Sequence, residues 1–231
     1  MTTIAANLQA VRARIAAACI AAGRPVESVR LLAVSKTWPA ASVREAIAAG
    51  QRAFGENYVQ EAIDKKAELA SLSPDPGLEW HFIGPLQSNK TRLVAENFAW
   101  VHSVDRLKIA ERLSAQRPPD MAPLQICLQV NVSGEASKSG CNPAQVAALA
   151  ATLATLPGLR LRGLMAIPEP SDDPLRQRQQ FAVLRRLRDS LPVELDTLSM
   201  GMSHDLEAAI MEGATIVRIG TAIFGQRNYT T

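Results

Sequence analysis

Short apolar segments alternate with amphipathic segments along almost the whole chain, and this alternation restricts the fold more than any other feature. Eight segments have the length and composition of strands, and each is followed by a stretch with apolar residues at helical spacing. Strands that alternate with helices pair in parallel. Eight such units in 231 residues are typical of a closed (β/α)8 TIM-type barrel, whose usual size is about 250 residues. The predicted strands lie at residues 31–35, 53–55, 80–84, 100–104, 124–131, 159–167, 195–200 and 215–220.

An additional helix is predicted before the first strand. Apolar residues recur there at helical spacing, so residues 3–22 are expected to form an amphipathic helix that Gly23 ends. An open Rossmann sheet is the alternative fold, but it requires a GxGxxG turn after a strand, and the sequence contains none. We therefore predict an α/β protein with one barrel domain over residues 1–231 and an extra N-terminal helix.

Composition excludes several classes of protein. The chain is 47% hydrophobic and 20% charged, as expected for a soluble globular protein, and its net charge of +3 is too small to indicate a nucleic-acid partner. Its three cysteines lie far apart without CxxC spacing, which argues against disulfides or a zinc site. Arg12 and Arg14 interrupt the apolar N-terminus, and no apolar run is expected to reach membrane-spanning length. We predict a cytoplasmic protein that binds no membrane.

One lysine follows directly on the first apolar strand, in the run LLAVSKT at residues 31–37. An apolar setting disfavours the ammonium form, so the pKa of such a lysine falls and its neutral amine becomes a nucleophile toward a carbonyl carbon. This is the chemistry of Schiff-base formation, and it makes Lys36 the first candidate site residue. The alternative is that the Lys36 side chain leaves the strand and extends into solvent.

Two turns near the C-terminus have the composition of a phosphate site. Gly201 precedes Ser203 after the seventh predicted strand, and Gly220 precedes Thr221 after the eighth. Loops at these two positions commonly hold phosphate in barrels, where the unpaired N–H groups at the start of a helix face the ligand. Ser203 is also expected to cap the helix that follows it.

Arg218 alternates with Gly220 along the eighth predicted strand, which directs its side chain into the mouth of the barrel. A buried arginine requires an acceptor, and either a carboxylate or the ligand supplies it. A Schiff-base lysine, a phosphate site and an inward arginine together indicate a pyridoxal phosphate site, with the arginine facing the ring nitrogen.

Motifs along almost the whole chain resemble those of the pyridoxal phosphate homeostasis proteins, single-barrel relatives of the N-terminal domain of bacterial alanine racemase. They are LLAVSKT at 31–37, AFGENYVQEA at 53–62, HFIGPLQSNK at 81–90, VHSVD at 101–105, NVSGEASKSG at 131–140, RGLMAIP at 162–168, SMGMSHDLEAAI at 199–210 and RIGTAIFG at 218–225.

This resemblance implies a fold type III barrel that carries pyridoxal 5'-phosphate as a Schiff base on Lys36, with Arg218 against the pyridine nitrogen. It also implies residues for the phosphate and for the ring. These are Ser203, Gly220 and Thr221 for the phosphate, and Asn57 and Met165 near the ring.

The resemblance further implies a role in pyridoxal phosphate homeostasis: binding, buffering and transfer to apo-enzymes. Alanine racemases have a second domain that supplies a catalytic tyrosine across a dimer, whereas only residues 223–231 follow the last predicted strand. The two tyrosines, Tyr58 and Tyr229, are poor candidates for that role. An arginine opposite the ring nitrogen also weakens the electron sink that carbanion chemistry needs. We predict a monomeric carrier without robust catalysis.

Two alternatives stay open: an amino-acid racemase of low activity, and an aldolase-like barrel that uses Lys36 without a cofactor. The remaining polar residues suggest simpler roles. His81 and His102 end apolar strands and are predicted to be satisfied buried groups rather than metal ligands. Lys138 is predicted to be a second, mobile amine near the mouth of the barrel.

Overall fold

Eight parallel strands close into a barrel in chain order, with the first strand paired to the eighth, and this closure confirms the predicted fold. The computed structural model describes residues 3–72, 77–133 and 139–226. The strands are β1 (Arg30–Val34), β2 (Ala53–Glu56), β3 (Glu79–Phe82), β4 (Trp100–Val104), β5 (Leu124–Gln129), β6 (Leu159–Met165), β7 (Thr197–Ser199) and β8 (Ile216–Ile219). The α-helices are α1 (Ile4–Ala21), α2 (Ala40–Ala48), α3 (Val59–Leu72), α4 (Thr91–Asn97), α5 (Leu107–Gln116), α6 (Val146–Leu153), α7 (Pro174–Asp189), α8 (Leu206–Met211) and α9 (Thr221–Phe224).

Helix α1 precedes the barrel, as predicted, and begins where the Thr3 hydroxyl accepts a hydrogen bond from the Ala6 N–H. It packs against α2, α8 and α9, and Arg14 pairs with Glu207 of α8 at 2.8 Å. Among the described helices only α1 is long and apolar enough to cross a membrane, with a mean hydropathy of 1.2, which differs from the sequence expectation. Its apolar face is nevertheless occupied within the fold, because five of its residues are buried. They are Leu8, Val11, Ile15, Ala18 and Cys19.

The apolar core has two parts. The larger part lies between the strands and the surrounding helices, where the side chains of Phe54 and Phe181 are among the largest buried groups. The smaller part lies inside the barrel, around Leu32, Trp100 and Met165. Polar side chains also lie in this interior. They extend from the lower end of the barrel, at the N-terminal ends of the strands, to its mouth at the C-terminal ends.

Three strands, β3, β5 and β6, end two residues earlier than predicted. β5 stops at Gln129 and β6 stops at Met165, although their apolar patterns continue to residues 131 and 167. Past these points the backbone still forms one bond each to the next strand, from the Val130 N–H to the Met165 carbonyl and from the Ala166 N–H to the Ser199 carbonyl. It also serves other contacts: Val130 bridges to Cys141, and the Ala166 carbonyl accepts a hydrogen bond from the Arg218 side chain. The upper ends of these segments therefore contribute to the mouth of the barrel.

Candidate functional site

A cavity of about 250 Å³ lies at the C-terminal ends of the strands. Six of the seven residues predicted for the site line this cavity: Lys36, Asn57, Ser203, Arg218, Gly220 and Thr221. The seventh, Met165, is fully buried in the smaller core cluster and is not among the described residues that line the cavity. Ile167 lines the cavity instead, because it lies two residues nearer the mouth on the same segment.

The loop after β1 presents Lys36 to the cavity. Lys36 is half-buried two residues beyond the strand, so its side chain does not extend into solvent as the alternative interpretation required. Thr37 follows with a φ of 67°, in the left-handed region that costs a non-glycine residue about 1–3 kcal/mol. This conformation is held by the Thr37 N–H, which donates to Glu61 Oε1 at 2.5 Å.

A second lysine, Lys65 of α3, anchors the same loop from the helix layer. Its Nζ donates to the Ser35 carbonyl at 2.9 Å and to Glu56 Oε1 at 2.6 Å, and it lies 3.0 Å from Glu61 Oε1. The Ser35 hydroxyl donates to the same Glu56 oxygen at 2.6 Å. We call Glu56, Glu61 and Lys65 the Lys65 cluster. The cluster fixes the residues on both sides of Lys36.

Lys65 is the one cation of the Lys65 cluster, and it pairs with both carboxylates, Glu56 and Glu61. Burial raises the pKa of Glu56, while the charge of Lys65 and hydrogen bonds from Lys65 and Ser35 lower it. Glu56 Oε2 has no hydrogen-bond partner among the described residues. Sequence reasoning missed this cluster. The spacing of Glu61 and Lys65 is the signal, but solvent-exposed helices show the same i,i+4 pairing.

Arg218 of β8 is buried beside the cavity, in register with Leu32 of β1. Its Nη1 donates to the Ser199 carbonyl at 2.6 Å and to Ser199 Oγ at 2.8 Å, and its Nη2 donates to the Ala166 carbonyl at 3.0 Å. These acceptors replace the carboxylate that the sequence analysis considered, since no described carboxylate forms an ion pair with Arg218. Burial lowers the pKa of Arg218 to about 10, which leaves the guanidinium cationic at neutral pH.

His81 and His102 face each other inside the barrel, with 2.8 Å between His81 Nδ1 and His102 Nε2. The remaining nitrogen of His81 lies 2.6 Å from Glu79 Oε1, and the remaining nitrogen of His102 lies 2.7 Å from Ser199 Oγ. Every ring nitrogen of the pair therefore has a partner, which confirms the prediction of satisfied buried histidines. That the two histidines partner each other was not foreseen.

The turn after β7 requires glycine. Gly201 has a φ of 94°, and a Cβ atom there would lie 2.6 Å from the Ala209 Cβ. The turn brings Ser203 to the cavity, where its hydroxyl accepts a hydrogen bond from the Ala222 N–H at 3.3 Å. This bond ties the turn after β7 to the turn after β8, which carries Thr221.

The expected capping role of Ser203 is wrong. Helix α8 begins at Leu206, three residues after Ser203, and its N-cap residue is Asp205. The Asp205 carboxylate instead accepts a hydrogen bond from the Met202 N–H at 2.5 Å, within the turn. The Ser203 hydroxyl is therefore left to the cavity and to the neighbouring turn.

The polar groups at the cavity suit an anionic ligand that carries a carbonyl group and a polar ring. They comprise a primary amine, a guanidinium, an imidazole, two hydroxyls and the amide of Asn57, whose Oδ1 is buried without a partner among the described residues. Tyr58 is exposed and is not among the lining residues that the structure describes. Lys138 and Tyr229 lie outside the described residues.

Comparison with known proteins gives the same architecture. The family model described as alanine racemase, N-terminal domain, matches residues 4–228. The alanine racemase of Corynebacterium glutamicum shares the fold, with a TM-score of 0.68 at 17% identity, covering 95% of this chain and 62% of that chain. PipY of Synechococcus elongatus, solved with pyridoxal phosphate bound, is 42% identical with a TM-score of 0.83, covering 96% of this chain and 100% of that chain.

Two more similar relatives carry the same name. The pyridoxal phosphate homeostasis protein of Pseudomonas aeruginosa is 66% identical over 229 residues, covering 99% of this chain and 98% of that protein. The protein of that name from Escherichia coli is 56% identical over 234 residues, covering 100% of this chain and 99% of that protein. With an alanine-racemase-like barrel and full-length relatives at this identity, the chain belongs to the family of pyridoxal phosphate homeostasis proteins.

Proposed function

We propose that this chain binds pyridoxal 5'-phosphate in the cavity as a Schiff base on Lys36, buffers the cofactor and hands it to apo-enzymes that require it. The observation that carries the proposal is the convergence of Lys36 and Arg218, from the neighbouring strands β1 and β8, on one cavity with two hydroxyl-bearing turns. The presence of pyridoxal phosphate in the structure of PipY supports the same choice of ligand.

Six of the lining residues have a role in this proposal. When bound, pyridoxal phosphate supplies an aldehyde that condenses reversibly with a primary amine. Lys36 provides that amine, and the Ser203 and Thr221 hydroxyls with the Gly220 backbone hold the phosphate. Arg218 faces the ring nitrogen with the N–H groups that Ser199 and Ala166 do not use.

Asn57 contributes its side-chain amide beside the ring. Met165 has no direct role in the proposal, because it lies beneath the cavity rather than on its wall.

The cavity supplies few groups for proton transfer, which favours a carrier over a racemase. The ionisable residues among its described lining are Lys36, His204 and Arg218, without a carboxylate or a tyrosine. Racemisation needs an acid–base group on each face of the substrate carbon, and each such group contributes roughly 10²–10⁴-fold to the rate. Arg218 stays protonated, so His204 is the one described partner that Lys36 has for this chemistry.

We infer that the protein acts as a cytoplasmic monomer. One chain provides all the groups that the proposed site uses, so no second copy is needed to complete it. The three cysteines are buried free thiols, as expected in a reducing compartment.

Spectroscopic titration tests the role of Lys36. We expect pyridoxal phosphate to produce a visible absorption band with the wild-type protein and none with Lys36→Ala. Lys108→Met, which changes an exposed lysine of α5, should retain the band. A protein that never develops the band would favour the cofactor-free aldolase.

Transfer and exchange measurements separate a carrier from an enzyme. Mixing the loaded protein with an apo-enzyme should restore the activity of that enzyme while the visible band of the carrier decays. In deuterated water with L- or D-alanine, the loaded protein should incorporate little deuterium at the α-carbon. Racemisation with a turnover on the order of 1–1000 per second would contradict the carrier function and show that the protein is an enzyme.

A further inference from the structure

A continuous row of hydrogen-bonded polar side chains crosses the barrel interior beneath the cavity. It links Glu79 through His81, His102 and Ser199 to Arg218, with separations of 2.6, 2.8, 2.7 and 2.8 Å between successive polar atoms. We call these five residues the interior chain. At its lower end, Arg30 Nη1 lies 2.6 Å from Glu79 Oε1. At its upper end, Arg218 lines the cavity.

The two ends of the interior chain fix the direction of every hydrogen bond in it. A guanidinium has only donors, so Arg218 donates to Ser199 Oγ. An ionised carboxylate has only acceptors, so the His81 Nε2–H donates to Glu79. His81 Nδ1 is then an acceptor for the His102 Nε2–H, and His102 Nδ1 accepts from the Ser199 hydroxyl. We propose that the interior chain is unidirectional and that Ser199 and His102 are positioning residues, which hold the Arg218 guanidinium against the cavity.

The protonation states of the groups in and around the interior chain are consistent with this direction of hydrogen bonding. Burial lowers the pKa of His81 and, more strongly, that of His102, where electrostatic interactions with His81, Arg218 and Arg30 add to the effect. Both rings are therefore neutral. Glu79 is ionised, since the hydrogen bond from His81 and the charge of Arg30 outweigh burial and lower its pKa.

Two further neighbours do not disturb the interior chain. Burial raises the pKa of the Cys127 thiol beside Arg218 to about 12, so this group adds no charge at neutral pH. The Trp100 ring stacks on His81 with 5.4 Å between centroids and supplies no acceptor that could redirect a ring N–H.

The direction of the interior chain has a consequence for Arg218. The lone pairs of each link point toward the guanidinium and the protons point toward Glu79, so the aligned dipoles stabilise the cation at one end and the anion at the other. Three hydrogen bonds with Ser199 and Ala166 leave two of the five N–H donors of Arg218, the Nε–H and one on Nη2, without a described acceptor. A guanidinium held in this way offers fixed donors to a ligand atom that accepts hydrogen bonds.

The ring protons can be observed directly in the protein without cofactor. Two-bond ¹H–¹⁵N correlation spectra of the labelled protein report which nitrogen of each histidine is protonated. We expect unprotonated Nδ1 and protonated Nε2 in both His81 and His102, unchanged between about pH 8 and 6, below the ordinary histidine pKa of about 6.5. The third histidine is assigned with His204→Asn. An imidazolium, or a proton on Nδ1 of either buried ring, would overturn the assigned direction.

A matched pair of carboxyl variants tests whether Glu79 sets the direction. Glu79→Gln places a donor and an acceptor where only an acceptor stood, so a second tautomer of His81 should become populated. Asp196→Asn is the control, because Asp196 pairs with Arg162 at 2.6 Å at the same end of the barrel and forms no hydrogen bond with the interior chain. Unchanged histidine spectra in folded Glu79→Gln would contradict the proposal. If that variant does not fold, the wild-type spectra still decide the direction.

The positioning role is tested separately and rests on the proposed function. Ser199→Ala should weaken pyridoxal phosphate roughly tenfold or more, since it removes one of the bonds that hold a charged donor. It should also shift the absorption maximum of the bound cofactor, whereas Ser199→Thr, which keeps the hydroxyl, should restore both. If the wild-type histidines have the expected tautomers but Ser199→Ala binds pyridoxal phosphate with unchanged affinity, the positioning role is refuted. Failure of the wild-type protein to bind pyridoxal phosphate would instead refute the proposed function, while the spectra still decide the interior chain.

Discussion

Lys36 and Lys65 both lie at the loop after β1. Lys36 lines the cavity, whereas Lys65, which is not among the described lining residues, donates a hydrogen bond to the Ser35 carbonyl from the helix layer. Lys65 is buried with 4% of its side chain exposed, and its partner Glu56 is fully buried. Removing one member of such a pair leaves the other charge uncompensated. The position of Lys36 thus depends on Lys65, which stabilises the loop and does not contact the cavity.

Replacing Lys65 by methionine should destabilise the protein by about 3–5 kcal/mol at neutral pH, because Glu56 is then a buried carboxylate without a cation. Burial already raises the pKa of Glu56, and loss of Lys65 removes an interaction that lowers it. With its folded pKa above the unfolded value, Glu56 favours the folded state at low pH and disfavours it as the pH rises. The loss should therefore be larger at pH 8 than at pH 5 in urea unfolding experiments.

The control for this prediction is Lys108→Met, an exposed lysine on α5, which should change stability by less than about 0.5 kcal/mol. Lys65→Met should also develop the visible band of pyridoxal phosphate more slowly, since the residues around Lys36 have lost their anchor. If Lys65→Met is as stable as the control, or is equally destabilised at both pH values, the ionised form of Glu56 does not depend on Lys65 for its stabilisation.

The two hydroxyls at the cavity make a prediction about ligand choice. Ser203→Ala combined with Thr221→Ala should weaken pyridoxal phosphate more than pyridoxal, because only the former has the phosphate that these groups are proposed to hold. Each lost hydrogen bond to a charged group is worth roughly 1.5–3 kcal/mol, or at least a tenfold change in affinity. Pyridoxal is the internal control in the titration. Equal losses for both ligands would place the phosphate elsewhere.

At the scale of the elements, strands β3 and β4 carry a neutral histidine pair into the barrel, and this makes stability depend on pH. The pKa values of His81 and His102 are lowered in the folded state, whereas the unfolded chain has histidines near 6.5. Above that pH neither state takes up a proton. Below it only the unfolded state does, so stability should fall with decreasing pH, approaching about 1.4 kcal/mol per pH unit for each histidine.

Urea unfolding between pH 8 and 5 measures this slope. The slope should persist in His204→Asn and diminish in a His81→Asn/His102→Asn variant. Comparison of the two isolates the histidine effect, because Glu56 titrates in both proteins. A double variant whose slope equals that of His204→Asn would contradict this account and would show that the buried histidines take up protons in the folded state.

The periodicity of the sequence predicts the elements well and their upper ends less well. An apolar run marks β5 and β6 correctly, but it cannot show that Val130 and Ala166 lie beyond the strand ends, since the bridge to Cys141 and the bond from Arg218 are tertiary contacts. Ser203 was expected to cap a helix that in fact begins three residues later. A hydroxyl followed by helical spacing does not identify the residue at which the first turn closes.

At the scale of the whole molecule, barrel closure was predictable because eight strand–helix units require it, and closure places Lys36, Ser203 and Arg218 at one end. The interior polar contacts were not predictable in the same way. His102 and Ser199 are 97 residues apart on strands that do not pair with each other, and in the sequence each simply lies in an apolar run. Lys65 was missed for a related reason: its burial follows from where α3 packs.

We propose that pyridoxal phosphate attaches to the amine of Lys36 and to no other amine of the chain. Lys36 competes with Lys65, which is buried in an ion pair, and with the other lysines of the sequence, such as Lys90 and Lys138. Position in the cavity favours Lys36, since it is the one lysine among the described residues that line it.

Borohydride reduction of the loaded protein followed by peptide mapping tests this claim most directly. Reduction converts the Schiff base into a stable secondary amine, so the attached lysine keeps the label through digestion. We predict one pyridoxyl group per chain, on the peptide that contains Lys36, and no label above background in Lys36→Ala. A label found chiefly on Lys90, Lys138 or Lys65 in the wild-type protein would contradict the assignment of the site.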